Sequence, residues 1–296
     1  MRAGKKQKIT TFDILLILVM LVILYVTFYP FWNLAVVSFN DPQDGMRGGL
    51  NLWPRIFSMA SYQRIFARDA QILSTLTVSL ERTLLGTLLN VAITAWLAYM
   101  LSHKKFILRK FLSKYLIVTM YVSAGLVPVY LLYSRLGLLN KFAVYVIPHL
   151  VSAYNIILVR TYIAGLPASL TEAAQIDGAG DIRIFFSVIL PLIVPVLATV
   201  SLFISVWQWS QWQDTYFFAS RNKALSTLQY EMMKIVTQST AQLTEQQIRD
   251  ANARAVVTTQ SLQAAMVMVA TVPILTVYPF VQRYFIKGMT LGSVKE

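Results

Sequence analysis

The chain alternates between long apolar stretches and short polar or basic segments. A helix needs about 20 consecutive apolar residues to cross a hydrocarbon core of about 30 Å. Because barrel strands would be shorter and would alternate in polarity, uniformly apolar stretches of this length predict helices. The pattern therefore predicts an all-α integral membrane protein, a single transmembrane domain over residues 1–296 with six transmembrane helices. The predicted spans are about 13–38, 80–101, 112–133, 142–163, 188–210 and 261–284.

Composition supports a membrane location and limits the kinds of partner that the chain is expected to bind. Hydrophobic residues make up 56% of the chain and charged residues only 13%, against about a quarter charged in soluble domains. The formal net charge of +13 would suggest nucleic acid in a soluble protein. Here the lysines and arginines lie largely at span ends, where they set topology and contact anionic headgroups. We therefore predict membrane lipid as a partner and no nucleic acid. The absence of cysteine excludes disulfides, thiolate metal ligands and cysteine nucleophiles.

The same basic residues predict the orientation. A basic segment at 2–8 precedes the first span, and another at 103–114 separates spans two and three. Short basic segments stay in the cytoplasm, so both termini and the 2–3 and 4–5 loops are predicted to be cytoplasmic. The first span is too long for a signal peptide and is predicted to stay uncleaved. The predicted outer loops are 39–79 and 211–260. Within the second, helical spacing predicts an amphipathic helix carrying Leu228, Met232, Ile235 and Val236.

The polar segment 164–191, between spans four and five, has the residues of a short capped helix. Ser169 and Glu172 have the spacing of a capping box, and Gly178 suits the left-handed residue that ends a helix. Small side chains would let another protein approach closely, and Glu172 offers a charge-assisted contact to an arginine or lysine. From these residues alone, the segment is either a docking helix or an ordinary connector.

A longer pattern runs through this segment: E-A-A, three residues, glycine, nine residues, an aliphatic residue, any residue, and L-P. It resembles the cytoplasmic-loop signature of permease subunits of binding-protein-dependent ABC importers. Its place after the fourth of six predicted spans fits that family, and Val188 replaces the usual isoleucine. The matching residues are Glu172, Ala173, Ala174, Gly178, Val188, Leu190 and Pro191.

Other stretches resemble the carbohydrate-uptake branch, and in particular the second permease of maltose-type importers. They are Leu52-Trp53-Pro54 with Tyr62, and Ala98-Tyr99-Met100-Leu101-Ser102 with Phe106 and Arg109. The tail from Tyr278-Pro279-Phe280 to Lys287-Gly288 and Gly292-Ser293-Val294-Lys295 is similar to a subgroup for complex oligosaccharides, such as alginate-type importers.

The resemblance implies a type I ABC importer permease in a bacterial cytoplasmic membrane. Its expected partners are a second permease subunit, in a heterodimer, two copies of a cytoplasmic ATPase, and an extracytoplasmic solute-binding protein that delivers an oligosaccharide. The coupling helix would sit in a groove of the ATPase and convert ATP-driven closure into rocking of the spans. The residues implied in coupling are Glu172, Ala173, Ala174, Asp177, Gly178, Leu190 and Pro191.

Candidate substrate contacts lie at the outer end of span five. Aromatic faces and planar hydrogen-bonding side chains recognise sugars, and helical spacing would place Trp207, Gln211 and Asp214 on one face and Gln208 with Trp212 on another. An interfacial aromatic belt is the alternative. A further pair, Tyr154 and Asn155, is predicted at mid-span in the fourth helix, for interhelical hydrogen bonds or substrate contact. Arg82, at the start of span two, is expected to extend to the headgroups.

The sequence contains no recognisable set of phosphate-binding, metal-binding or acid–base residues. The phosphate-binding pattern G-x-x-x-x-G-K-[ST] does not occur, and His103 and His149, the two histidines, form no metal or acid–base constellation. We predict a transport subunit that is not an enzyme, with no catalytic residue, metal or cofactor of its own; ATP and magnesium would bind the partner ATPase. A permease for a non-sugar solute is the alternative. A stand-alone secondary transporter is disfavoured, because it would need ionisable residues within the spans.

Overall fold

The computed structural model describes residues 10–45, 49, 52–67, 70–242 and 258–293. In this part of the chain nearly every element is a helix, and the one β contact is an isolated bridge between Asn40 and Phe57. The α-helices are α1 (Thr11–Ser38), α2 (Pro42–Gly45), α3 (Ala60–Ala67), α4 (Ala70–Ser102), α5 (Arg109–Tyr121), α6 (Leu126–Arg135), α7 (Ala143–Val146), α8 (Ala153–Ala164), α9 (Ala168–Ile176), α10 (Asp181–Ile184), α11 (Leu190–Ser210), α12 (Leu228–Gln242) and α13 (Thr259–Ser293). The prediction of an all-α protein is confirmed.

Shorter helical turns join these helices at four places. Two are 3₁₀ turns, at Ile147–His149 and Lys223–Leu225, and two are π turns, at Phe185–Ile189 and Thr215–Ala219. Such turns change the direction of the backbone without leaving helical geometry. The turns at Ile147–His149, Phe185–Ile189 and Thr215–Ala219 adjoin residues of the candidate sites.

The chain divides into two compact units. The first comprises Met1–Asp69 and Ile235–Val269, and the second comprises Ala70–Lys234 and Ala270–Glu296. In the first unit, α1 begins with a reciprocal capping box: the Thr10 N–H donates to Asp13 Oδ2 at 2.7 Å, and the Asp13 N–H donates to Thr10 Oγ1 at 3.3 Å. Most large apolar side chains of α1 are exposed, which is typical of a helix that faces lipid.

The core of the second unit forms where α4 packs against α8 and α11. Ala95 and Ala98 of α4 are fully buried, and small residues let neighbouring helices approach closely. The core is completed by aliphatic residues that α8 and α11 contribute: Ile156, Val159, Ile193, Val200 and Ile204. Tyr99 OH donates to the carbonyl of Asp181 at 3.0 Å, which fixes the start of the α10–α11 segment against α4.

Three of the helices are long and apolar enough to cross a membrane in the described part of the chain: Thr11–Ser38, Ile72–Ser102 and Asp181–Ser210. They contain the spans predicted at 13–38, 80–101 and 188–210. The second begins about two helical turns before its predicted start, because its first residues are mildly polar but still helical. The span predicted at 261–284 lies within α13.

Two predicted spans are not continuous helices. The stretch 112–133 is divided into α5 and α6 by residues 122–125, where Gly125 adopts a φ of +81°. The stretch 142–163 is bent by 47° between Ala143–His149 and Ala153–Ala164. If that bent pair counts as one span, the described helices give four spans. Hydropathy reports composition and cannot detect such breaks, so the count of six spans and the single domain stay predictions.

Candidate coupling and substrate sites

A short helix, α9, lies within the segment predicted to carry the coupling helix, but its N-terminus differs from the prediction. Helix α9 begins at Ala168 after Pro167, which has an extended backbone and makes no side-chain capping bond. Ser169 therefore lies inside the first turn, and its predicted capping box with Glu172 is wrong. Proline tolerates this position because its missing N–H would be unpaired at a helix start.

The C-terminus of α9 follows the prediction. Gly178 has a φ of +76°, the left-handed conformation that glycine adopts at little cost. The Gly178 N–H donates to the Gln175 carbonyl at 3.0 Å, and the Ala179 N–H donates to the Ala174 carbonyl at 3.0 Å. This pair of bonds is a Schellman motif, and it satisfies two of the carbonyls that a helix end leaves unpaired.

One side of α9 faces the bundle and the other faces outward. Ala174 is half-buried and, with Ala179, packs against the core. Glu172, Ala173 and Asp177 are exposed, as is Gly178. Beyond them Ile176 is 86% exposed, which is unusual for a large aliphatic side chain outside a lipid-facing helix. The exposed face combines two carboxylates with an apolar residue and a small one, as a docking surface would.

Residues 177–180 separate α9 from the helical span that follows. That span, Asp181–Ser210, is continuous, and its π turn Phe185–Ile189 precedes Leu190 and Pro191. Leu190 is half-buried against the core and Pro191 is exposed. These two residues therefore lie at the base of α11 and not on α9, where the other predicted coupling residues or their immediate neighbours lie.

A second polar site lies where α4, the bend before α8 and the end of α11 meet. Arg82 of α4 is 1% exposed. It donates through Nε to Gln208 Oε1 at 2.9 Å and through one terminal nitrogen to the Gln211 carbonyl at 3.0 Å, and its other terminal nitrogen contacts the Asp214 carboxylate. The expectation that Arg82 extends to the headgroups is wrong, because these acceptors satisfy the guanidinium inside the protein.

Tyr145 and Gln208 enclose the guanidinium. Arg82 Cζ lies 4.7 Å from the centroid of the Tyr145 ring, within the range of a cation–π contact. Gln208 is 1% exposed and donates through Nε2 to the Tyr145 carbonyl at 3.4 Å. Gly86 makes room for this amide, since a Cβ at Gly86 would stand 2.5 Å from Gln208 Nε2.

His149 completes the group, which we call the Arg82 cluster (Arg82, Tyr145, His149, Gln208 and Asp214). His149 Nε2 lies 3.2 Å from Asp214 Oδ2, and the Asn90 side-chain amide donates to the His149 carbonyl at 2.5 Å. Burial alone would raise the pKa of Asp214, but the His149 hydrogen bond and the charge of Arg82 outweigh it and hold the pKa below its ordinary value. Asp214 is therefore the negative centre of the cluster.

The predicted substrate residues lie in different environments in the structure. Helix α11 ends at Ser210 and Gln211 is extended, so residues 207–214 do not share helical faces as predicted. Gln208 is buried, Gln211 and Trp212 are half-buried, and Trp207 is 40% exposed. The Trp207 ring meets His149 edge to face, with ring centroids 4.5 Å apart.

Tyr154 and Asn155 follow the bend, in the first turn of α8, where the Asn155 N–H donates to Ser152 Oγ at 3.5 Å. Tyr154 is 57% exposed, and Asn155 is buried. The prediction missed the bend because Ser152 and its neighbours are not polar enough to interrupt an apolar stretch.

Sequence reasoning missed His149, Asn90 and Asp214 as members of one site. The contacts join residues up to 132 positions apart, and no spacing rule detects such pairs. The available signal was Arg82 itself, because an arginine within an apolar stretch normally has a partner. In the part of the chain that the structure describes, no group of three or more metal-ligating side chains comes together.

The described residues thus combine helices long and apolar enough to cross a membrane with a short exposed helix, α9, that precedes one of them. Residues 90–291 match the family described as "Binding-protein-dependent transport system inner membrane component", and the chain belongs to that family.

Several relatives are similar over nearly the full length. The chain is 32% identical over 284 residues to the polygalacturonan/rhamnogalacturonan transport system permease protein YtcP of Bacillus subtilis (strain 168), covering 96% of this chain and 98% of the relative. It is 25% identical over 284 residues to the arabinooligosaccharides transport system permease protein AraQ of the same organism, covering 95% and 94%. These matches confirm the resemblance to sugar permeases of ABC importers.

The fold also matches a solved structure. A chain of a bacterial ABC transporter involved in the import of the acidic polysaccharide alginate superimposes with a TM-score of 0.83, covering 96% of this chain and 100% of that chain. At 24% sequence identity this likeness establishes the type I ABC permease fold.

Proposed function

We propose that this chain is a non-enzymatic permease subunit of an ABC importer that moves oligosaccharides or polysaccharide fragments into the cytoplasm. The observation that carries the proposal is the end-to-end similarity to a permease named for polygalacturonan and rhamnogalacturonan transport. Other relatives are named for arabinooligosaccharides and for melibiose, raffinose and stachyose. What these names share is a chain of sugar rings, so we propose an oligosaccharide as the substrate class.

Coupling to ATP hydrolysis would use α9. The exposed side of this helix carries Glu172, Ala173 and Asp177, and its Schellman motif fixes the direction in which the chain leaves the helix. Because Ala174 packs on the core and Asp181–Ser210 is one helical span, a push on α9 would move α11. ATPase closure would thus become rigid-body movement of the spans.

The remaining parts would come from partner proteins. No phosphate-binding loop occurs in the sequence, so ATP and magnesium would bind two copies of a cytoplasmic ATPase. A second permease, expected to be a different chain, would complete the pathway, and an extracytoplasmic binding protein would deliver the sugar. The basic segments 2–8 and 103–114 support a bacterial inner-membrane location with both termini in the cytoplasm.

The substrate class can be tested in the host by deleting the gene and restoring it on a plasmid. Uptake would be measured for radiolabelled oligogalacturonides, rhamnogalacturonan fragments, arabino-oligosaccharides and raffinose. We expect the deletion to abolish uptake of at least one of these sugars and the plasmid to restore it. Normal uptake of the whole panel by the deletion strain would refute the sugar assignment.

A non-sugar solute is the second candidate. The chain is 30% identical over 230 residues to the osmoprotective compounds uptake permease protein GgtD of Synechocystis sp., covering 76% of this chain and 70% of the relative. The same deletion strain would then lose uptake of an osmoprotectant such as glycine betaine and keep uptake of every sugar in the panel.

A further inference from the structure

We propose that His149 and Trp207 form a contact site for one sugar ring of the transported oligosaccharide, and that Arg82 and Asp214 are positioning residues for it. The proposal rests on the proposed function for the substrate class. It adds His149 and Arg82, which the sequence did not indicate as substrate residues, and it gives Asp214 a positioning role.

The exposure of the two side chains points to an aqueous surface. Trp207 is 40% exposed, and the His149 side chain is 24% exposed although Asp214 beneath it is nearly buried. A partly exposed imidazole would be costly against acyl chains, so such a group faces water or a protein partner. The His149–Trp207 surface is therefore open to a polar ligand.

The imidazole is oriented for a hydroxyl group. Asp214 lies 3.2 Å from Nε2 of His149 through Oδ2, so the carboxylate can hold the ring by that nitrogen and leave the Nδ1 edge for another partner. A sugar hydroxyl, which can donate or accept, could hydrogen-bond to that edge. The Asn90 bond to the His149 carbonyl holds the backbone from which the ring projects.

Trp207 supplies the complementary surface. Its ring meets the His149 ring edge to face, with centroids 4.5 Å apart, so the indole and the imidazole are immediate neighbours. A pyranose ring has a C–H face that packs on an aromatic surface and hydroxyls at its rim. The pair offers one partner to each of these two parts of a sugar.

Arg82 determines where Asp214 lies. It holds the Asp214 carboxylate and the Gln208 amide at once, and Gln208 is in turn bonded to the Tyr145 carbonyl. The guanidinium thus ties the end of α11 to α4 and to the 143–149 segment. Loss of the Asp214 carboxylate would remove the group that lies 3.2 Å from His149 Nε2, and the imidazole would no longer be held in one orientation.

The first test uses the absence of cysteine from the chain. Trp207→Cys would be the one thiol of this subunit in the assembled importer, reconstituted with its partners and binding protein in nanodiscs. We expect a membrane-impermeant methanethiosulfonate to modify it, and oligogalacturonides to slow that modification about tenfold, which is the effect of excluding reagent from an occupied site. Trp53→Cys, 71% exposed in the predicted outer loop, is the control whose rate should not depend on sugar.

The second test measures transport kinetics. His149→Ala should raise the KM for the oligosaccharide about tenfold, the effect of one lost hydrogen bond, with little change in kcat. His149→Gln should restore most of the affinity, because its amide offers both a donor to Asp214 and an acceptor to the sugar. His103→Gln is the matched control, since it alters the only other histidine.

The positioning role predicts that Asp214→Asn raises KM as His149→Ala does. Should that variant fail to assemble, the Trp207→Cys and His149 results decide alone. Three results would overturn the proposal: no modification of Trp207→Cys, modification that sugar does not slow, or wild-type kinetics in His149→Ala. All require that the wild-type complex transports oligogalacturonides, and failure of the wild type to transport any sugar would instead refute the proposed function.

Discussion

Gly86 shows how a single missing side chain permits the Arg82 cluster. Any Cβ there would stand 2.5 Å from Gln208 Nε2 and 2.8 Å from its Cδ, closer than non-bonded atoms approach. Gln208 cannot move aside without losing its hydrogen bond to Arg82 Nε at 2.9 Å. The glycine is therefore explained by packing and hydrogen bonding and needs no left-handed conformation.

Gly86→Val should destabilise the protein by about 1–3 kcal/mol, the usual cost of overpacking a filled interior. The measurement is the thermal unfolding midpoint of the purified complex. Leu88→Val is the matched control, because it places the same β-branched residue on the same helix at a position that is 67% exposed. An equal shift in the two variants would contradict the packing explanation.

Arg82 and Asp214 should act as a coupled pair. Removing one partner leaves a buried charge, so Arg82→Gln or Asp214→Asn alone should cost about 3–5 kcal/mol. The double variant should cost less than the sum of the single variants, because it leaves no unpaired charge. A double-mutant cycle on unfolding of the complex in detergent would measure this coupling.

The pair formed by Glu231 and Lys234 provides the comparison for that cycle. Its Nζ–Oε1 distance is 2.7 Å, but the lysine side chain is 36% exposed, and solvent-screened pairs couple by about 0–1 kcal/mol. Additive effects of Arg82→Gln and Asp214→Asn would contradict the assignment of a buried ion pair.

Among the helices, α9 has a C-terminus that the sequence predicts and an N-terminus that it does not. Gly178 was predictable because the left-handed stop depends on one residue type. The N-terminus was not, since Ser169 and Pro167 are both acceptable helix starts and only the direction of the preceding chain decides between them. The breaks at 122–125 and after His149 were missed for a related reason, because a kinked apolar stretch has the same composition as a straight one.

Gly178→Asp should uncouple transport from ATP hydrolysis or release the ATPase. The new side chain would place a charge on the exposed side of α9 at a residue whose φ is +76°. The measurement is ATP-driven uptake per ATP hydrolysed in proteoliposomes, together with the amount of ATPase retained. Gly180→Asp is the control, since it adds the same charge two residues away, where φ is not positive and no atom lies within 4 Å of the added Cβ. Normal coupling in Gly178→Asp would contradict the assignment of α9.

At the scale of the whole molecule, composition and the E-A-A signature were sufficient for the class of protein. The apolar stretches indicated helices in a membrane, and residues 172–191 indicated the family that the match over 90–291 established. The Arg82 cluster was not accessible from the sequence, because its members come from α4, the bend before α8 and the segment after α11. Long-range polar contacts depend on how the helices pack, and no local pattern encodes that packing.

The single chain exposes a large apolar surface that must be covered in the functional protein. Many large side chains of α1, α5 and α6 remain exposed in the single chain, and an apolar surface of that extent is covered by lipid or protein in any stable state. A permease embedded in a membrane, as we propose, accounts for this surface.

The central claim is that this chain transports only as one subunit of an ATP-driven importer. The most direct measurement is to purify the tagged chain from its host in mild detergent, identify the proteins present in stoichiometric amount, and assay ATP-dependent uptake after reconstitution. We predict two copies of an ATPase that carries a phosphate-binding loop, one second permease, and uptake that requires ATP. A chain that purifies alone and moves its substrate without ATP would contradict the claim.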